Sequence, residues 1–232
     1  MTEMYRYPEA IISGAALEAA LDDPALRIYD CTFYLDYEEG TGRPYSVRSG
    51  REDWLAGHVP GAAHLDLQGD FSDPGAPTSF MHLTPAATAE AFARAGIGEG
   101  ARVVLYSRGS PNRATRFWWM LRWIGFDSAA ILDGGMDLWE AEGRPLATGE
   151  AAYPAARLTA QVRAGLWADK AEVLAAIGSG AVCTLNALDA DLHSGANPRY
   201  GRAGRIPGST NVPSSALIDA RTMRLVAPEA AA

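Results

Sequence analysis

One phrase occurs twice in this chain. Residues 56–64 read Ala-Gly-His-Val-Pro-Gly-Ala-Ala-His, and residues 203–211 read Ala-Gly-Arg-Ile-Pro-Gly-Ser-Thr-Asn, an offset of 147 residues. Solenoids and propellers repeat every 20–50 residues or so, whereas this spacing is about one domain long. The chain is therefore expected to hold two copies of one domain type, each with its own core and the same order of elements. Only 25 residues follow Pro207. In the first copy, several elements still lie beyond the corresponding point, so the second copy is expected to be cut off partway.

Between the two phrases the pattern alternates. Residues 10–13 and 26–29 are short apolar runs suited to strands, and 15–21 suits a helix between them. A polar, Gly-rich insertion follows over 37–50, then a short helix over 51–56 leading into the His-Val-Pro-Gly turn. Thr84 and Pro85 have the chemistry of an N-cap and first helical residue for a helix running to 95. Residues 102–106 (Arg-Val-Val-Leu-Tyr) suit the centre of a parallel sheet, and 113–124 is an aromatic-rich helix. A strand over 129–132, the turn Asp133-Gly134-Gly135 and a helix around Trp139 complete the copy. Strands separated by helices predict an α/β sheet covered on both faces. The Ala-, Gly- and Pro-rich stretch 143–157 reads as a linker. Beyond it, 162–164 and 181–185 resemble strands and 168–177 a helix, with Asn186 in the place of Asp30.

The formal net charge is −8, and Lys and Arg are scattered. That argues against nucleic acid or an anionic membrane as partner. No apolar run is long enough to span a bilayer, and the N-terminus lacks a secretory pattern. The two cysteines, Cys31 and Cys183, make neither a disulfide framework nor a metal cluster. Both are expected to be buried and inert, and a cytoplasmic setting is expected. His58 and His64 flank the first turn and are read as structural.

The ordered set of His58-Val59-Pro60-Gly61-Ala62, the Trp118-Trp119-Met120 helix, Leu132-Asp133-Gly134-Gly135 with Trp139, and Gly204-Arg205-Ile206-Pro207-Gly208 resembles the rhodanese (sulfurtransferase) family in its tandem form. The resemblance implies two rhodanese-like domains, each a parallel sheet flanked by helices, the second incomplete. Their expected bounds are 1–148, a linker over 149–160, and 161–232. It also implies transfer of a sulfane sulfur from thiosulfate or 3-mercaptopyruvate, through a cysteine persulfide, to a thiol or cyanide. No cofactor or metal is implied. The partners are the small-molecule donor and acceptor, with the missing C-terminal segment supplied as a separate or clipped chain.

In that family the nucleophile ends the central strand, with loop amides aimed at its sulfur. The matching first-copy residue is Ser107, which cannot carry a persulfide. The first domain therefore reads as non-catalytic, with Arg108, Gly109, Ser110, Asn112 and Arg113 forming a vestigial anion loop. The catalytic cysteine is expected beyond Ala232, so the chain as given is expected to be inactive. Arg199, in Asn197-Pro198-Arg199-Tyr200-Gly201, is the candidate for gripping a substrate carboxylate, a task that suits the planar guanidinium fork. Asn186-Ala187-Leu188 and Arg205 depart from the family pattern. The alternative reading is an inactive rhodanese-like module that binds an anion or a partner.

Overall fold

A computed structural model describes residues 5, 7–37, 45–199 and 201–227. In chain order the elements are β1 (Ile11–Ile12), α1 (Gly14–Glu18), β2 (Leu26–Asp30), β3 (Phe33–Asp36), β4 (Ser46–Ser49), α2 (Arg51–Ala56) and β5 (Ala63–His64). Next come α3 (Leu67–Asp70), α4 (Pro85–Arg94), β6 (Arg102–Tyr106), α5 (Asn112–Trp123), β7 (Ala129–Leu132) and α6 (Gly135–Ala141). The second repeat supplies α7 (Lys170–Ala176), β8 (Leu185–Asn186), α8 (Ala190–Ser194) and β9 (Thr210–Asn211).

The first repeat is built on a five-stranded parallel sheet in the order β1-β7-β6-β2-β5. β6 is central because Val103, Val104, Leu105 and Tyr106 are all buried, so both its faces must be covered. Side chains alternate along the strands. Tyr29, Cys31, Val103 and Leu105 join Phe92, Phe117, Met120 and Leu121 on one face. Leu26, Ile28, Val104 and Tyr106 join Leu17, Met136 and Trp139 on the other. Thr84 caps α4 by accepting from the Ala87 amide, with Pro85 in the first turn. Helix α5 buries Ala114, Phe117, Met120 and Leu121, the three- and four-residue spacing of one helical stripe.

Three expectations are corrected. The insertion over 37–50 holds a strand: β4 pairs antiparallel with β3, Phe33 opposite Ser49 and Asp36 opposite Ser46. Its Ser-Val-Arg-Ser sequence is half exposed and so lacks an apolar signal; residues 38–44 lie outside the described residues. Residues 162–164 form no strand, and of 181–185 only residue 185 belongs to one, β8.

The stretch from Ala147 to Arg163 is irregular, as its composition predicts, but it is fastened to the first repeat as a strap. Ala147 exchanges two backbone hydrogen bonds with His58. The Tyr153 hydroxyl donates to the Gly61 carbonyl at 2.7 Å and accepts from the Ile28 amide at 3.0 Å. Ala156, Gln161 and Arg163 donate their amides to the carbonyls of Ala93, Ile124 and Trp123. The Arg163 guanidinium pairs with Asp127. Gly125 has φ +91°, and a Cβ there would stand 2.7 Å from the Gln161 carbonyl oxygen, so only glycine lets the strap pass.

The second repeat reproduces the first at matched points on either side of a shorter intervening loop. The helix caps Ser13 and Asp169, and the strand ends Asp30 and Asn186, are each 156 residues apart. β2 pairs with β5 as Tyr29 to Ala63 and Asp30 to His64, and β8 pairs with β9 as Leu185 to Thr210 and Asn186 to Asn211. The Asp30 carboxylate accepts from the Thr32 amide at 2.8 Å; Asn186 Oδ1 accepts from the Leu188 amide at 2.9 Å. The Leu65 amide bonds the Asp30 carbonyl, and the Val212 amide bonds that of Asn186, both at 2.9 Å.

Candidate functional site

Ser107 follows directly on β6, the middle strand of the sheet, and its loop runs into the N-terminus of α5. This is the carboxyl end of a parallel strand, where open α/β sheets carry their sites. One glycine lets α6 approach this loop. Gly135 has φ +57°, and a Cβ on it would lie 2.4 Å from the Ser107 carbonyl oxygen. That carbonyl accepts the Met136 amide at 3.1 Å.

Most polar groups of the loop are paired, within it or with its neighbours. Ser107 is 3% exposed, and its hydroxyl donates to the Ser110 carbonyl at 2.6 Å. The Arg108 amide donates to Thr32 Oγ1 at 3.0 Å. The Gly109 amide donates to the Asp137 carboxylate at 2.7 Å, and the Ser110 amide to the Arg108 carbonyl at 2.8 Å. The Asn112 amide donates to Ser110 Oγ at 3.3 Å. Asp137, from α6, thus stands as a resident anion against one loop amide. Arg113 is equally committed: its guanidinium donates to the carbonyls of Arg108 and Phe33, and burial lowers its pKa. Arg108 reaches the Gly57 carbonyl and Glu140, both at 2.9 Å.

Beneath the loop lies buried Asp30. Burial raises its pKa above the usual carboxylate range, against the opposing pull of the Thr32 hydrogen bonds, His64 and Arg108. Burial likewise raises the Tyr106 hydroxyl, with Asp30 adding to the shift. The Tyr106 hydroxyl accepts from the Val59 amide at 3.3 Å, tying the Pro-Gly turn to the central strand. His58 and His64 serve that region structurally. His58 is buried with Nδ1 2.7 Å from the Trp54 carbonyl, and both rings lie against Trp54.

The two cysteines differ. Cys31 is fully buried in the first core, where burial and then Asp30 push its thiol up. Cys183 is exposed, against the expectation of burial; among the described residues it lies outside every strand. Neither follows a central strand as Ser107 does. Arg199 is exposed with its guanidinium 4.5 Å from the centre of the Tyr37 ring, and Tyr200 lies outside the described residues. Tyr37 follows β3, whose Phe33 carbonyl accepts from Arg113. The two repeats also meet at the loop, where Asn112 Nδ2 donates to Ser214 Oγ at 3.1 Å. Asp137, Thr32 and Tyr153 were not singled out from sequence. Asp137 stands two residues after Gly134-Gly135, and that proximity to a forced close approach was the available signal.

The protein is thus of the α/β class, a parallel sheet flanked by helices with a loop over the carboxyl end of its central strand. Within it, the family model for the rhodanese-like domain matches residues 13–142, and the chain belongs to that family. It is 31% identical over 204 residues to a probable 3-mercaptopyruvate sulfurtransferase of Pseudomonas aeruginosa, covering 86% of this chain and 69% of the relative. It is 31% identical over 217 residues to a putative thiosulfate sulfurtransferase, SseB, of Mycobacterium tuberculosis, covering 90% and 72%. The crystal structure of the 3-mercaptopyruvate sulfurtransferase SseA from Escherichia coli superposes with a TM-score of 0.78 at 26% identity, covering 95% of this chain and 80% of that one. Among the described residues no helix is long and apolar enough to cross a membrane.

Proposed function

We propose that this chain is part of a cytoplasmic tandem sulfurtransferase that takes a sulfane sulfur from thiosulfate or 3-mercaptopyruvate. Residues 1–148 are a non-catalytic first domain, 149–160 a connector and 161–232 the beginning of the catalytic domain. The nucleophile is a cysteine outside these residues, at the register position that Ser107 holds in the first repeat. Its thiolate attacks the outer sulfur of the donor. The sulfur–sulfur bond of thiosulfate breaks to release sulfite, or the carbon–sulfur bond of 3-mercaptopyruvate breaks to release pyruvate, whose methyl takes the thiol proton. The persulfide then passes its outer sulfur to a thiol or cyanide and the thiolate returns, a two-step covalent cycle. Arg199 binds the donor's carboxylate or sulfonate.

One observation carries this reading: the second repeat reproduces the β2–β5 register and the Asp30 turn, while the loop residue of the first repeat is serine. A hydroxyl cannot hold sulfur as a persulfide, and the loop amide facing outward is taken by Asp137. That occupancy speaks against the first-repeat loop as an open anion-binding module. The test is release of sulfite and pyruvate, with cyanide as acceptor, by a chain extended in frame past Ala232 through the expected cysteine. The reading predicts turnover that is lost when that cysteine becomes serine. It also predicts that Arg199→Ala raises KM for 3-mercaptopyruvate roughly tenfold or more, the loss expected for a charge-assisted bidentate contact. No turnover with either donor contradicts it.

A further inference from the structure

We propose that Tyr37 is a positioning residue for Arg199, so that the first repeat, though its loop carries serine, supplies one wall of the donor-binding site of the second. The Arg199 guanidinium lies over the Tyr37 ring, 4.5 Å from its centre, across the boundary between the repeats. A ring face attracts the cation while leaving the N–H groups in the guanidinium plane free. A carboxylate in the same place would occupy that fork and repel an incoming anion. Among the described residues no carboxylate forms an ion pair with Arg199. Asp191 is close enough to feel its charge, but the Asp191 carboxylate accepts from Asn197 Nδ2 at 2.9 Å instead.

Both partners are set in place from their own side. Tyr37 follows β3 directly and meets Tyr45 edge to face, ring centres 6.1 Å apart. Tyr45 stacks with Phe80 at 6.3 Å, and Phe80 meets Phe33 at 5.0 Å. Arg113 of α5 grips Phe33 in turn: its guanidinium lies 5.4 Å from that ring and donates to the Phe33 carbonyl. Phe80 has φ +64°, unfavourable for an aromatic residue. It is held there by its amide donating to Gln68 Oε1 at 3.3 Å and its carbonyl accepting from Arg116 at 2.7 Å. An aromatic row thus runs from the first turn of α5, next to the candidate loop, to Arg199. From the second repeat, Asn197 Oδ1 accepts the Arg199 amide at 3.1 Å, and the Asn197 amide donates to the Asp191 carbonyl at 3.1 Å. Arg199 is therefore oriented twice, by Asn197 at its backbone and by Tyr37 at its guanidinium. The inference rests on the donor-binding role proposed for Arg199, whereas the contact itself is read without any donor.

The test is NMR of the Arg199 side chain in the 232-residue chain. Its δ-methylene and ε N–H protons should resonate upfield of those of an ordinary exposed arginine, because the Tyr37 ring shields them. Tyr37→Leu should remove that shift and Tyr37→Phe should keep it. Tyr37 is exposed, so neither variant should move the thermal midpoint. Titration with 3-mercaptopyruvate should then move the Arg199 signals saturably. The Kd should rise about two- to fivefold in Tyr37→Leu, the loss expected for an exposed cation–π contact, and stay unchanged in Tyr37→Phe. Arg199 signals at ordinary positions in the free chain overturn the contact and the inference with it. A shielded Arg199 that ignores 3-mercaptopyruvate overturns the donor-binding role on which the inference rests. A Kd that Tyr37→Leu leaves unchanged overturns the positioning role alone, with Arg199 still the donor's partner.

Discussion

At the scale of residues, the two repeats supply their own control. Asp30 and Asn186 occupy the same position and accept the same backbone bond, yet one is ionisable. Burial raises the Asp30 pKa in the folded state above the unfolded value of about 3.9. A raised carboxyl disfavours folding at neutral pH, and the penalty is relieved as pH falls from the folded pKa toward about 4. Asp30→Asn should therefore be at least as stable as the wild type at pH 7, with a weaker gain on acidification, read from urea midpoints at pH 7 and 5. A lower midpoint at pH 7 would mean the carboxylate makes interactions that an amide cannot replace. The thiols give a second residue-scale expectation. A disulfide reagent should modify Cys183 rapidly and Cys31 only after denaturation, since one is exposed and the other buried with a raised pKa.

At the scale of elements, the strap from Ala147 to Arg163 holds more of the structure than its composition suggests. Tyr153→Phe removes the acceptor for the Ile28 amide and the donor to the Gly61 carbonyl. The expected loss is about 1–3 kcal/mol in chemical denaturation. Gly125→Ala should cost a similar amount, about 1–3 kcal/mol, because φ +91° is unfavourable for any side chain and the strap blocks its Cβ. Exchange of the Gln161 amide, bonded to Ile124, should speed up in the same variant. Neither role was visible in sequence, where this stretch reads as a linker: most of its bonds are to backbone atoms, which leave no pattern in residue type. By contrast β6 and α4 were legible because an apolar run and a Thr-Pro cap each act locally. β4 was missed for the opposite reason, since an exposed hairpin strand needs no apolar alternation. The candidate loop was placed correctly at the end of β6 by the Tyr106-Ser107 boundary, but its closure by Asp137 depends on a contact 28 residues away that no local pattern encodes.

At the scale of the whole molecule, duplication explains both what is well built and what is open. The repeat spacing read from residues 56 and 203 is matched by identical strand registers in the two halves. The first half encloses two apolar clusters, while the second leaves Leu174, Val182 and Leu185 in solvent. Burial scales with completed layers, so the first half should unfold at higher denaturant than the second. The central claim is that the persulfide-bearing sulfur belongs to neither cysteine of these 232 residues. It is tested most directly by incubating the purified chain with thiosulfate, removing the donor, and measuring thiocyanate released by cyanide together with the intact mass. The account predicts no labile sulfur and an unchanged mass. One labile sulfur per chain, mapped to Cys31 or Cys183, would contradict it.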